Sequence, residues 1–481
     1  KQLECLLDFM RSRTSTRIMQ DKGRHFADRY KVLEEAYPSY KTTNLYQVNN
    51  KVIKPMTQPL KCSYVEAVAF SEKAQLPTWF ASHWWGEPLH GSVASLKAHA
   101  QLRHPESDAV TSSYWICAFA NGQHDLKATF GDNPEESCFY NALRICRGMV
   151  LLLDAGSPAR AFDRIWCNFE ASLATSALSH LLLDIVAQDE TGQACILTDG
   201  MTLAETTKDT ESLKNPWEES GRTAQVKREE RFPVDIMHKG LYVSVANAKA
   251  TSPQDKHQIL NIVAGKTGSA AVDLGLPVYE ETDKRLRSRF ATLSIRSAIL
   301  HYPEINISDR GNLPIARAIR EDRRKKTFKL DLSCCWKMTD SCLADVVDCL
   351  PKHSEESPLK EVHIKLNMNY QLTSASAILR RLSELESLQK INLDFEGCLG
   401  LGSNADSDNS SADLEDFGKQ MGRRESLKKV ELNFKGCRRL EGSSALNAMT
   451  DHLKSSTSIK DLKIFSPGGN NIAYVERAVV Q

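Results

Sequence analysis

The segment from residue 143 to residue 170 carries the residue types best suited to chemistry. It reads as an apolar strand, a loop of small residues and the start of a helix that contains Trp166, Cys167 and Glu170. A carboxylate just past the end of a buried strand stands where open α/β sheets place their ligands, so Glu170 is the first candidate catalytic residue. The alternative is structural: Glu170 would be a solvated neighbour of Trp166, one helical turn away, and Phe169 would pack in the core. For Trp166 itself we expect a place in the core.

A second polar group follows the segment PTWFAS, which reads as the first strand of a sheet. Ser82, His83, Trp84 and Trp85 occur there in succession. With Asp154 they supply the residue types of a Ser-His-Asp hydrolase, but adjacent side chains on a strand point to opposite faces and no Gly-x-Ser-x-Gly sequence is present. Trp84 and Trp85 offer stacking surface for a ligand or for the core, and strand alternation predicts that one of them is exposed.

Two other patterns argue against a metal site and against nucleoside triphosphate hydrolysis. The histidines near the first strand are not spaced as an i, i+4 pair on one helix face, and no nearby Cys or Asp completes a ligand set; they are His83, His90, His99 and His104. Gly265-Lys266-Thr267 resembles the end of a phosphate-binding loop, but the position that must be glycine is Leu260. Gly265 is better explained as a helix C-terminal cap.

Composition narrows the classes of function. The 481 residues contain 62 Lys and Arg against 61 Asp and Glu, a net charge of +1, which gives no general attraction to nucleic acid. The 13 cysteines occur without a Cys-x-x-Cys pair, which favours reduced thiols and a cytoplasmic protein. No apolar run reaches the ~18–20 residues that span a bilayer.

The pattern of periodic segments predicts four regions. Residues 1–75 read as a helical N-terminal segment and an extended strap, residues 76–254 as an α/β domain, and residues 255–325 as a helical connector. In the α/β domain we expect one largely parallel sheet with helices on both faces, because runs such as Met149 to Leu153 are apolar throughout. Its strands are predicted near residues 78–82, 114–119, 149–153 and 181–186.

Residues 326–481 contain repeated strands of alternating character. The repeats begin at Phe328, Val362, Ile391, Val430 and Leu462, and helix-like sequence follows the strands. We expect these strands to stack in parallel as a solenoid. Cys335, Cys398 and Cys437 recur at the same turn, which indicates a structural role. The polar insertion at residues 402–416 predicts a mobile loop.

The order of these segments resembles two known families. The elements at residues 77–88, 92–102, 112–120 and 136–154, followed by Trp-Cys-x-x-Glu at 166–170, are similar to a Toll/interleukin-1 receptor (TIR) domain over roughly residues 76–200. The repeats resemble leucine-rich repeats. The resemblance implies a TIR/flavodoxin-like α/β fold followed by a leucine-rich-repeat solenoid.

The TIR resemblance also implies a reaction, the cleavage of the nicotinamide-ribose bond of NAD. Glu170 would then be catalytic, and residues at the same sheet edge would contact NAD; these are Ser82, His83, Trp84, Trp85 and Asp154. NAD would be the substrate and no cofactor would be required. Because many TIR domains only mediate assembly, two hypotheses remain: a signalling NAD glycohydrolase, and a non-catalytic scaffold. Either would bind a protein partner through the repeats, with TIR-TIR self-association as a further expectation.

Overall fold

The computed structural model describes most of the chain in two units. The described residues are 2–14, 41–68, 76–105, 112–124, 137–154, 159–302, 312–323, 325–352, 358–402 and 408–476, apart from 177, 179, 216 and 267–269. One unit comprises residues 1–221 and 242–286, and the other comprises residues 222–241 and 287–481. Within the N-terminal segment, the sequence HFADRYKVLEEAY at residues 25–37 predicts a helix, which lies outside the described residues.

Helices and strands are numbered in chain order. The α-helices are α1 (Gln2–Thr14), α2 (Leu45–Val48), α3 (Lys54–Thr57), α4 (Tyr64–Val68), α5 (Leu89–Arg103), α6 (Cys117–Ala120), α7 (Cys138–Ile145), α8 (Ile165–Thr175), α9 (Leu203–Ser212), α10 (Gly221–Glu230), α11 (Val234–Gly240), α12 (Pro253–Val263), α13 (Pro277–His301), α14 (Asn312–Glu321), α15 (Asp340–Val346), α16 (Ser376–Glu384), α17 (Asp408–Arg423) and α18 (Ser444–Lys454). The strands are β1 (Trp79–Ser82), β2 (Tyr114–Trp115), β3 (Gly148–Leu152), β4 (Leu182–Gln188), β5 (Ala194–Leu197), β6 (Thr327–Asp331), β7 (Glu361–Lys365), β8 (Lys390–Asp394), β9 (Lys429–Asn433), β10 (Asp461–Phe465) and β11 (Asn471–Glu476).

The first unit contains a five-stranded sheet in the order β2-β1-β3-β4-β5. The first four strands are parallel and β5 is antiparallel to β4. All five residues of β3 are buried, because the sheet is covered on both faces. Ala81 and Val150 share a core cluster with Leu96 of α5, whereas the alternate residue Phe80 contacts Phe139 of α7 on the other face. The predicted parallel sheet is therefore confirmed.

A buried ion pair joins α5 to β4. Arg103 donates from Nε to Oδ2 of Asp184 at 2.7 Å and from Nη2 to Oδ1 at 2.6 Å. His99 lies 2.8 Å from the same Oδ2 through Nε2 and 2.8 Å from the Tyr114 hydroxyl through Nδ1. Burial alone would raise the pKa of Asp184, but the hydrogen bonds from His99 and Arg103 and the charge of Arg103 outweigh burial and lower it to about 2. His99 is therefore part of a structural network.

Three local predictions for this unit are wrong. The strap is helical, with α2, a π-helical turn at Asn49–Ile53 and α3 in succession. Pro55 does not prevent this, because it lies in the first turn of α3, where its missing N–H is not needed. The strand predicted at residues 112–120 ends at Trp115, and α6 follows it. The sequence LYVSVANAKA at residues 241–250 also predicts a strand, but these residues form turns with one bridge at Lys249.

The second unit contains a six-stranded sheet in which the strands follow chain order, β6 to β11. β6 to β10 are parallel and in register, so that Val362, Ile391 and Val430 are direct neighbours. The predicted parallel pairing of the repeats is confirmed. The last strand, β11, is antiparallel to β10.

In the turns that follow the strands, the same kind of side-chain hydrogen bond joins one repeat to the preceding one. Cys398 donates to the carbonyl oxygen of Leu366 at 3.0 Å, and Cys437 donates to that of Phe395 at 3.1 Å. At the equivalent position of the preceding repeat, Asn369 donates to Leu332 at 3.0 Å. Cys398 and Cys437 are thus structural donors, and both are fully buried, as is Cys335 in the turn after β6.

The insertion in the repeats is largely helical. α17 begins at Asp408, inside the segment predicted as a mobile loop. Leu414, Phe417 and Met421 are buried and lie three or four residues apart, which fixes one face of this helix against the core. Residues 403–407 lie outside the described residues.

Candidate active site

A cavity of about 230 Å³ opens at the carboxyl ends of β1 and β2. Segments that are distant in the sequence contribute to its wall, which contains three tryptophans, one glutamate and one arginine. The lining residues are Tyr46, His83, Trp84, Trp85, Cys117, Asn121, Gln123, Phe139, Arg164, Trp166, Cys167, Glu170, Thr251 and Asp255. The carboxyl edge of a parallel sheet is where α/β proteins bind ligands, so this cavity is the candidate site.

Glu170 lies in the wall of this cavity on α8. It is only 4% exposed, and burial raises its pKa to about 8, although the neighbouring Ser82 hydroxyl acts in the opposite direction. A carboxyl group without a partner charge favours its neutral form when it leaves water. Glu170 is therefore mostly protonated at pH 7. A cation bound in the cavity would favour the ionised form.

Ser82 lies beside Glu170 at the end of β1 but does not line the cavity. It is buried, and its Oγ makes no hydrogen bond of ordinary geometry with any described residue. A Ser-His-Asp triad needs a hydrogen bond from the serine hydroxyl to the histidine, so Ser82, His83 and Asp154 do not form one in this structure.

His83 lines the cavity and is neutral at physiological pH. Burial lowers its pKa to about 4, against a weaker opposing effect of the Ala81 backbone. A neutral imidazole retains one donor and one acceptor nitrogen, so His83 can hydrogen-bond a ligand without adding charge to the cavity.

Trp84 and Trp85 both line the cavity and are both half-buried. The expectation that alternation would expose one of them is wrong, because β1 ends at Ser82 and the chain turns there. Trp85 contacts the Tyr46 ring at 5.6 Å and donates from Nε1 to Sγ of Cys117 at 3.2 Å. These contacts fix one aromatic wall.

Trp166 supplies a further aromatic surface of the cavity. We predicted a core position for it, but it is half-buried and lines the cavity. Its ring stacks on Phe139 with centroids 5.1 Å apart and planes 22° apart. Because Trp166 and Glu170 are one helical turn apart on α8, the same face of the helix presents both to the cavity.

Asp154 follows β3 but does not line the cavity. Its Oδ1 accepts a hydrogen bond from the Arg160 backbone at 2.6 Å. Burial raises the pKa of nearby Glu87 to about 7, against the Ser92 hydrogen bond and with a smaller contribution from the charge of Asp154. The Arg160 guanidinium lies 4.6 Å from the centroid of the Trp84 ring. Asp154 thus supports a cavity wall indirectly.

The rim of the cavity contains residues that the sequence analysis missed. Arg164 donates from Nη2 to Oγ1 of Thr251 at 2.7 Å, and the Tyr46 hydroxyl lies 3.2 Å from the same oxygen. Tyr46 precedes the sheet and Thr251 follows it in the chain. No local pattern in the sequence indicates that segments so far apart meet at one site.

Cys117 and Cys167 also line the cavity, and neither is activated. Burial is the largest cause that raises the pKa of each thiol, and Glu170 contributes in the same direction. A thiol nucleophile needs a lowered pKa, so neither cysteine fits that role.

Comparison with known proteins adds no relative. No protein family profile, curated protein or solved structure matches this chain. Within the described residues, no helix has the length and apolar character needed to cross a membrane. No group of three or more His, Cys, Asp and Glu side chains in the described part of the chain is arranged to hold a metal ion.

Proposed function

We propose that this chain cleaves the nicotinamide-ribose bond of NAD in the cavity at the carboxyl edge of the first sheet. The observation that carries the proposal is a buried carboxyl group, Glu170, in the wall of an aromatic cavity. The proposal keeps the TIR-like interpretation of the first unit and the leucine-rich-repeat interpretation of the second.

The aromatic side chains and the carboxyl group together suit the substrate. The nicotinamide ring of NAD carries a positive charge, and aromatic faces attract cations, most strongly when water is excluded. Binding of that charge near Glu170 favours the carboxylate. The ionised side chain can then stabilise the positive charge that develops on the ribose as the bond to nicotinamide breaks.

The reaction needs water as its only other reactant. The bond between C1′ of the ribose and the ring nitrogen breaks, and nicotinamide leaves as a neutral molecule with the electron pair. Water then forms the new C1′–O bond and releases one proton. Glu170 stabilises charge and holds the ribose.

The test is to incubate the purified chain with NAD and follow free nicotinamide by chromatography. We expect release by the parent chain and by the control variant Glu190→Gln, which alters an exposed glutamate outside the cavity. Glu170→Gln should abolish release. Equal rates for Glu170→Gln and the parent would overturn the assignment.

A non-catalytic scaffold is the second candidate function. It is favoured by large apolar side chains that are exposed just after β7 and β8, namely Met368, Tyr370 and Leu399. Exposed apolar groups that cluster in this way are typical of protein-binding surfaces. If the parent releases no nicotinamide even when concentrated enough to self-associate, the scaffold is the better proposal.

A further inference from the structure

Arg164 is a cation at the rim of the cavity whose contacts are with hydroxyl groups. Nη2 donates to Oγ1 of Thr251 at 2.7 Å and lies 3.5 Å from the Tyr46 hydroxyl. Within the part of the chain that the structure describes, Arg164 forms no ion pair. An arginine in this state keeps its charge and several of its five donors for a ligand.

The N-terminus of α8 adds partial positive charge beside Arg164 at the rim of the cavity. Arg164 is the residue that caps the N-terminus of α8, and its side chain makes no capping hydrogen bond. A helix N-terminus carries partial positive charge, which favours an anion nearby. The cation, two hydroxyl groups and the helix end therefore meet at one edge of the cavity.

The cavity is too small to enclose a whole dinucleotide, so such a ligand would extend across the rim. Clefts that enclose drug-sized ligands typically measure ~300–1,000 Å³, whereas this cavity measures about 230 Å³. It can enclose a base with its ribose but not a whole dinucleotide. If the base lies near Glu170, the group attached to the other side of the ribose must cross the rim at Arg164.

We propose that Arg164, Tyr46 and Thr251 form an anion subsite that binds the phosphate on the ribose of a pyridinium nucleotide. The inference rests on the proposed function for the ligand in the cavity. It adds that the chain recognises the mononucleotide half of NAD, through the base, the ribose and one phosphate. The adenylate half lies outside the cavity.

Asp255 is an acidic residue that lines the same cavity and opposes anion binding there. It lies in the first turn of α12, with its backbone N–H bonded to the Ser252 hydroxyl at 3.4 Å. A like charge near a bound phosphate opposes binding. Arg164 and Asp255 should therefore affect a phosphorylated ligand in opposite directions.

The experiment compares two ligands that differ by the phosphate alone, nicotinamide riboside and nicotinamide mononucleotide. Their dissociation constants are measured by isothermal titration calorimetry on a chain carrying Glu170→Gln, so that hydrolysis does not consume them. We expect the mononucleotide to bind about tenfold more tightly than the riboside, as expected for a charge-assisted hydrogen bond.

Three variants test which residues cause the difference. Arg164→Gln should make the two ligands bind equally, and Asp255→Asn should increase the preference for the mononucleotide. Arg144→Gln removes an equal charge from an exposed position outside the cavity and should leave the preference unchanged.

The outcomes separate this inference from the proposed function. If the mononucleotide is preferred and Arg164→Gln removes the preference, the subsite stands even when the parent chain releases no nicotinamide. Equal binding of the two ligands, or a preference that survives Arg164→Gln, would overturn the subsite even if NAD is cleaved. Binding of neither ligand, in this background and in the parent chain, would overturn it as well.

Discussion

The Ser82 hydroxyl lies beside the Glu170 carboxyl group, at the point where β1 ends and α8 passes. The Ser82 Oγ makes no hydrogen bond of ordinary geometry with any described residue. It is thus the one nearby polar side chain that favours the ionised form of Glu170, whereas burial favours the neutral form. Burial and the Ser82 hydroxyl therefore act in opposite directions on the protonation of Glu170.

Replacing Glu170 with glutamine should change stability in alkaline solution. The unfolded side chain ionises near pH 4.5, whereas the folded one ionises near pH 8, so the folded chain holds one more proton between these values and loses stability as the pH rises. Glu170→Gln removes this loss. In urea unfolding it should match the parent near pH 5 and exceed it by several kcal/mol near pH 9.

The alternative of a solvated Glu170 rests on the premise of an exposed side chain, whose truncation would leave stability nearly unchanged. The structure contradicts that premise, since the residue is buried. A parent and a variant whose stabilities stay equal from pH 5 to pH 9 would show that the carboxyl group is hydrated in solution.

The rate of NAD cleavage should depend on pH through the same group. If the carboxylate stabilises the ribosyl cation, kcat/KM of the free enzyme should rise about tenfold per pH unit below pH 8 and level off above it. Ser82→Ala removes the group that lowers the pKa, so its profile should shift to higher pH. A rate that falls with rising pH between 6 and 8 would contradict a role for the carboxylate.

Like Glu170, Glu87 should reduce stability as the pH rises, and Glu87→Gln should remove this loss. Burial raises the pKa of Glu87 to about 7, so its contribution to stability declines between pH 4.5 and pH 7. The variant should be more stable than the parent at pH 8 and similar at pH 4.5. Thermal unfolding at the two pH values measures this, with Glu190→Gln as the control of equal charge change.

Asp184→Ala should be among the most destabilising single changes in the first unit. It leaves the buried Arg103 and His99 without their acceptor, which typically costs about 3–5 kcal/mol. The ion pair also predicts acid sensitivity, because the contribution of Asp184 is complete above pH 3.8 and is lost as the pH falls to about 2. Urea unfolding should show a smaller loss for an exposed control, Asp235→Ala.

The turns of the repeats predict that one substitution lowers the free energy of unfolding and another raises it. The third residue after each of β6 to β9 has positive φ: Cys334 at 60°, Met368 at 62°, Gly397 at 72° and Gly436 at 73°. A side chain in this conformation costs ~1–2 kcal/mol. Gly436→Ala should therefore lower the free energy of unfolding by about 1 kcal/mol, and Met368→Gly should raise it by a smaller amount. Equal effects of the same sign would exclude backbone strain as the cause.

Local periodicity was sufficient to predict the parallel strand pairing in both sheets. Continuous apolar runs such as β3 can only be buried on both faces, and the alternation in β7 to β9 fixes the pairing of the repeats. The cavity rim could not be predicted in this way. The tertiary fold brings Tyr46 and Thr251 to Arg164, and no local sequence pattern predicts these contacts.

Trp166 illustrates a second limit. An aromatic residue on an apolar helix face is equally consistent with a core and with a cavity wall, because both environments exclude water. The difference depends on whether another side chain fills the space opposite. For Trp166 one ring face is taken by Phe139, and the side chain also borders the cavity.

The chain-order sheet of the second unit has a consequence for how that unit folds. Each strand from β7 to β10 pairs with the strands that precede and follow it in the sequence, and every parallel pairing closes a loop of similar, moderate length. Structure can then start at any adjacent pair and extend one repeat at a time. Hydrogen exchange in the native state should therefore show protection that decreases in steps toward an end of the array, rather than one uniform value.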